Sequence, residues 1–189
     1  MGIKITYYYS ACVTIETIDC KILCDPWFTD GIYDGSWFQF PKINNPLNLI
    51  GDVDYIYVSH IHPDHYDFKF ITDYFEMYGQ KQILIAEHNP NYLLYKMKSD
   101  GLEPHVVKSE EVYKINNTEV QLIPFKTGSI NDIDSALSVQ FPYENKLHTV
   151  LNTNDIIMND SFITMLNKHF PEIDILLCGY TGAGPYPQT

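Results

Sequence analysis

The 189-residue sequence is short of positive charge. Lys and Arg together number 12 against 24 Asp and Glu, for a formal net charge of −12. A protein that grips a nucleic-acid backbone needs cations to neutralise phosphates, so that class is excluded as a partner. An anionic membrane surface is disfavoured for the same reason. No run of about 18 apolar residues occurs, so no bilayer-spanning helix is expected. The opening Met1-Gly2-Ile3-Lys4-Ile5-Thr6 has no basic region followed by an apolar stretch, and so does not read as a secretory signal. Gly2 with Thr6 fits a loose acylation pattern, but the segment reads as a strand. The four cysteines, Cys12, Cys20, Cys24 and Cys178, form no C-x-x-C. They read as reduced thiols of a cytoplasmic protein rather than as a zinc ribbon or redox pair. Internal repeats and Pro/Gly/Ser linkers are also lacking, and the length suits one domain over residues 1–189.

What is present is a globular composition: 45% hydrophobic residues, with 15 Tyr, 10 Phe and 2 Trp. Such aromatic content is compatible with a homo-oligomer interface as well as with a core. Ile3–Tyr9, Cys12–Ile18 and Lys21–Cys24 read as strands, with Ile18-Asp19 as a turn. Asp54–Ser59 alternates and ends at His60. Asp67 is a good N-cap for a helix through Tyr78, stopped by Gly79. Gln82–Ala86 reads as a strand and Asn91–Ser99 as a helix closed at Gly101. Val112–Ile115 and Glu119–Phe125 read as a hairpin around Asn116-Asn117. Ala136–Phe141, Leu147–Leu151 and Ile173–Cys178 read as strands, and Ser161–His169 as a helix capped near Asp160 or Ser161. Helices layered on mixed or antiparallel sheet fit this order, an α/β (α+β) class.

The chemistry concentrates in Ser59-His60-Ile61-His62-Pro63-Asp64-His65-Tyr66-Asp67, which holds three of the seven histidines. In an extended segment residues i and i+2 point to one side, so His60 and His62 can face one cation. Pro63 keeps His62 out of helical geometry, and the turn that follows lets Asp64 and His65 approach from another direction. Imidazole with carboxylate is a donor mixture suited to zinc first, and also to manganese or iron.

His60-Ile61-His62-Pro63-Asp64-His65 resembles the signature of the metallo-β-lactamase superfamily. The resemblance implies a four-layer αββα sandwich with one or two divalent metal ions. It implies His60 and His62 for a first ion, Asp64 and His65 for a second, and Asp155 as a bridging carboxylate at a strand end. Asp25, in Asp25-Pro26-Trp27, matches the early Asp that supports such a site without ligating. Ile22-Leu23-Cys24-Asp25-Pro26-Trp27-Phe28 is similar to the lactonase-like branch that includes ascorbate-6-phosphate lactonase. The aromatic loop after it, Leu151–Asp155 and Gly182–Pro187 resemble the lactamase-like part of CMP-N-acetylneuraminate hydroxylase.

The superfamily pattern also has a third histidine and a last histidine. Here Ile123–Ser129 contains no His, and none follows His169. Asp132, Asp134 and His148 are open as substitutes, with His148 reading better as an ordinary strand residue. His88, His105 and His169 read as surface or capping residues. The Gly/Pro-rich tail without a closing helix leads to the expectation of a C-terminally shortened domain.

The implied activity is hydrolysis of a small polar metabolite, sugar-derived, lactone or phosphate-bearing, by metal-activated water. Asp64 is the candidate to orient the nucleophile or move its proton. Trp27, Trp37, Lys126 and Tyr186 are candidates for substrate contact: the aromatics to stack, the lysine to hold an anion. The rival readings are a degenerate, non-catalytic metal-binding module and an oxygenase-related protein of surface-carbohydrate metabolism. An oxygenase of that kind needs a Rieske cluster, yet neither C-x-H nor C-x-x-H occurs, so a partner would have to carry it.

Overall fold

The computed structural model describes residues 2–109, 111–126 and 133–179. Contacts divide the chain into two compact units, Met1–Val107 and Lys108–Thr189. The expected mixture of strands and helices is observed, with one mixed sheet in each unit.

The first unit is a six-stranded sheet in sequential order: β1 (Lys4–Tyr9), β2 (Cys12–Glu16), β3 (Lys21–Cys24), β4 (Tyr55–Tyr57), β5 (Gln82–Ala86) and β6 (His105–Val107). β1 to β3 are antiparallel, whereas β3 to β6 are parallel. Parallel neighbours need long crossovers. These contain α1 (Ile32–Gly35), α2 (Pro46–Ile50), α3 (Phe68–Tyr78) and α4 (Tyr92–Ser99). α3 starts where Asp67 accepts the Phe70 N–H and ends at Gly79, whose φ of 80° favours glycine. Asn91 caps α4 in the same way, accepting from Leu94. Phe70, Ile71 and Tyr74 of α3, with Leu93 and Met97 of α4, bury against Ile56, Val58, Ile83 and Ile85.

The second unit is a five-stranded sheet in the order β11-β10-β9-β8-β7. Its strands are β7 (Tyr113–Ile115), β8 (Thr118–Lys126), β9 (Ile133–Tyr143), β10 (Lys146–Asn152) and β11 (Ile175–Leu177). All neighbours are antiparallel except β10 and β11. One helix, α5 (Asp160–His169), packs Phe162 and Leu166 against Ala136 and Leu151.

Three local expectations are corrected. The cap of α5 is Asn159, whose Oδ1 accepts from Phe162 N at 2.9 Å, rather than Asp160 or Ser161. His105 is a half-buried residue of β6, not a surface or capping residue, because Leu84, Ile85 and Ala86 of β5 recruit the short segment as a parallel partner. The short turn α1 lies within the expected aromatic loop and is left-handed at Tyr33 and Asp34 rather than a regular helix, and α2 follows that loop. Among the described residues no helix is long and apolar enough to cross a membrane.

Candidate metal centre

The site grows from the C-terminal ends of two neighbouring parallel strands. β3 ends at Cys24 and β4 at Tyr57. Asp25 N–H bonds to Tyr57 O at 2.9 Å, which extends the pairing one step past β3. Asp25 then takes a left-handed φ of 43°, a conformation that turns the chain out of the sheet. Its carboxylate is fully buried and points at the residues following β4. Oδ1 accepts the Ser59 N–H at 2.7 Å, and Oδ2 accepts the Ser59 hydroxyl at 2.8 Å.

This arrangement sets the histidine tautomers. The Ser59 proton goes to Asp25, so Ser59 Oγ accepts from His60 Nδ1, 2.9 Å away. The lone pair of His60 is then on Nε2. His65 Nδ1 lies 3.0 Å from Asp25 Oδ2, which makes it the protonated nitrogen and leaves the lone pair on Nε2. One buried carboxylate therefore orients two imidazoles that are five residues apart.

The functional nitrogens converge. His60 Nε2 and His62 Nδ1 are 2.8 Å apart, and the His60 and His65 rings have centroids 4.0 Å apart. The turn after Pro63 returns the chain: both His65 N–H and Tyr66 N–H bond to His62 O, at 3.0 and 2.8 Å. That brings Asp64 Oδ2 to 3.6 Å from His65 Nε2. His60, Asp64 and His65 are buried and His62 is exposed. His60 and His62 bring ring nitrogens close enough to serve one divalent cation, and Asp64 and His65 form a second imidazole–carboxylate pair beside them.

Asp67 closes the segment. Besides capping α3, its Oδ2 accepts from Phe28 N and Thr29 N at 2.9 and 2.8 Å, and its Oδ1 from Thr29 Oγ at 2.8 Å. The loop after β3 is thereby fixed to the end of the histidine segment.

The remaining sequence candidates fall in several places. Trp27 is buried, its indole N–H donating to Thr29 O at 2.7 Å. Trp37 is half exposed and lies 6.3 Å from Trp27 between ring centroids. Both line a cavity of about 500 Å³ with Tyr7, Tyr9 and Phe38. Asp155 belongs to the second unit, exposed in the turn after β10. That turn is held by Thr153 N–H on Leu177 O at 2.9 Å. Lys126 ends β8 and is exposed. Of the open substitutes, Asp134 is buried in β9, and His148 sits on β10 with Nδ1 3.0 Å from Asp174. Tyr186, Asp132 and the Gly182–Pro187 motif lie outside the described residues.

Two residues of the first unit had no role in the sequence reading. Ser59 was flagged only by its place before His60. Tyr33, whose hydroxyl donates to Asp64 Oδ1 at 2.7 Å, had no signal, since it lies in an irregular loop 31 residues away.

The chain belongs to the beta-lactamase superfamily domain family, whose model matches residues 4–150. A curated relative named as a Rieske 2Fe-2S iron-sulfur protein, from Mycolicibacterium smegmatis, is 31% identical over 92% of this chain and 33% of its own length. Cytidine monophosphate-N-acetylneuraminic acid hydroxylase of Danio rerio is 22% identical over 99% of this chain and 31% of its own length. The chain thus spans about a third of the curated relatives it matches. Among solved structures, CmlA, a diiron beta-hydroxylase from Streptomyces venezuelae, superposes with a TM-score of 0.66. It is 18% identical, with 93% of this chain and 34% of that chain covered. A protein described as a possible metal-dependent hydrolase from Veillonella parvula gives the same TM-score at 18% identity, covering 90% of this chain and 69% of the other. The fold is therefore the mixed α/β, two-sheet fold of the metallo-β-lactamase superfamily.

Proposed function

We propose that this chain is a metal-dependent hydrolase module acting on a small polar metabolite: sugar-derived, a lactone, or phosphate-bearing. The observation that carries the reading is the pair of imidazoles, His60 and His65, whose Nδ1 atoms are both held by the Ser59–Asp25 hydrogen bonds, which sets their Nε2 atoms as the ligating ones. A residue set that pre-orients ligand lone pairs with a buried carboxylate is expensive to maintain for packing alone. When bound, a divalent cation, zinc first, supplies Lewis acidity and brings the pKa of water toward about 7. His60 and His62 would hold a first ion, and Asp64 and His65 a second. Asp64 orients the attacking water and takes its proton. Asp25, directly and through Ser59, holds the Nδ1 sides of His65 and His60 and so sets the direction of their Nε2 lone pairs. Trp27 and Trp37 would stack on the substrate. The lactonase-like branch, a cytoplasmic location and a homo-oligomeric state belong to this reading.

The test is a hydrolysis screen of the zinc- and manganese-loaded protein on lactones and sugar phosphates, beside the His60→Ala/His62→Ala variant. Turnover by the parent and none by the variant supports the reading. Equal background rates in both sink it.

The relative named as a Rieske iron-sulfur protein favours a second reading, in which the chain is the lactamase-like module of an oxygenase system. The chain has no C-x-H of its own, so the cluster would come from a partner. Iron retained through purification, with no hydrolysis, favours this alternative.

A further inference from the structure

We propose that Tyr33 is a positioning residue that fixes which oxygen of Asp64 faces the metal centre. The proposal rests on the reading of His60, His62, Asp64 and His65 as ligands.

The loop that carries Tyr33 is built with unusual backbone. Gly31, Tyr33, Asp34 and Gly35 all have positive φ, at 78°, 50°, 56° and 82°. Tyr33 and Asp34 are L-residues with side chains in a region that favours glycine. Such a conformation persists only where the surroundings over-determine it, and it is a pointer to function.

The loop does not need the Tyr33 hydroxyl to close. Gly31 N–H bonds to Trp37 O at 2.8 Å, Trp37 N–H to Ile32 O at 3.1 Å, and Gly35 N–H to Gly31 O at 2.9 Å. The Tyr33 ring rests against Trp37, with centroids 4.9 Å apart. Backbone and ring contacts thus account for the loop, and the hydroxyl has a separate use. It donates to Asp64 Oδ1 at 2.7 Å.

A carboxylate has two equivalent oxygens and turns about its last torsion with little restraint. The Tyr33 bond removes that equivalence. Oδ1 is occupied, and Oδ2 is the oxygen 3.6 Å from His65 Nε2. The same ring lies 6.4 Å from the His62 ring, so it covers the exposed histidine on one side. Tyr33 stands to Asp64 as Asp25 stands to His65: each hydrogen-bonds a proposed ligand and fixes its direction. Partners of this kind change metal affinity by about 10- to 100-fold when removed.

The experiment is a cobalt(II) titration of metal-free protein, followed by visible absorption, on four chains: the parent, Tyr33→Phe, His65→Ala and His60→Ala/His62→Ala. Tyr33→Phe keeps the ring against Trp37 and deletes only the hydroxyl. The His65→Ala spectrum identifies the cobalt absorption that depends on Asp64 and His65. The expected result is that Tyr33→Phe weakens that component about tenfold and shifts its band, while the component lost in His60→Ala/His62→Ala is unchanged. The melting temperature of metal-free Tyr33→Phe should equal the parent's, which separates positioning from loop stability. A Tyr33→Phe titration identical to the parent's overturns the proposal and leaves the ligand reading standing. A parent that binds no cobalt, or one whose spectrum His65→Ala leaves intact, overturns the ligand reading and the proposal with it.

Discussion

The Asp25 carboxylate stands 3.0 Å from His65 Nδ1 across forty residues of sequence, and both side chains are buried. The same carboxylate accepts the Ser59 hydroxyl, which in turn accepts from His60. Asp25→Asn puts an amide N–H where one of these donors points. The clash drives His65 or Ser59 into the opposite hydrogen-bond polarity and removes a ligand lone pair. Zinc affinity by calorimetric titration should fall about 10- to 100-fold. Affinity equal to the parent's would show that Asp25 is only a packing residue.

Asp67 joins the start of α3 to the loop after β3 through four accepted hydrogen bonds. Asp67→Ala loses the cap, about 1 kcal/mol, and strands the Phe28 and Thr29 donors. The combined loss should be about 2–3 kcal/mol. It should appear as a lower urea midpoint with an unchanged slope.

Burial raises the phenol pKa of Tyr74, and burial with the Asp100 carboxylate raises that of Tyr66. The unfolded value is about 10. Above it the unfolded chain releases these protons while the folded chain keeps them. The stability they contribute is therefore full below about pH 10 and declines as pH rises toward the raised folded values. Thermal melts should show the midpoint falling above pH 10, and Tyr74→Phe should flatten part of that fall. Tyr74→Phe also leaves the buried Val53 N–H without the acceptor it has at 2.8 Å, a loss of about 1–3 kcal/mol at neutral pH.

Cys12, Cys20 and Cys24 are buried and Cys178 is exposed. Burial pushes the Cys12 thiol well up and Cys20 up to about 11, so neither is a thiolate at pH 8. A thiol reagent at that pH should label one cysteine per folded chain, Cys178, and four in denaturant. Rapid labelling of a second thiol in folded protein would contradict this burial.

Local chemistry made much of the fold legible. Asp67, Gly79 and Asn91 announce their helix ends because caps and left-handed stops act on neighbouring residues. β5 reads correctly at both ends, since Gln82–Ala86 is an apolar run between breaks. β6 is invisible in sequence: His105–Val107 is three residues long and becomes a strand only by pairing with β5. The histidine segment was legible because its ligand spacing lies within six residues. The Ser59–Asp25 relay and the Tyr33–Asp64 bond were not, because each joins residues more than thirty apart through a fold that local pattern does not encode.

The central claim is that His60, His62, Asp64 and His65 hold a divalent metal. Elemental analysis of the purified protein, before any chelator is added, tests it most directly. The account predicts close to one or two equivalents of metal per chain, lost when His60 and His62 are changed to Ala. A chain that carries no metal, and takes up none after soaking with zinc, manganese or iron, would contradict it.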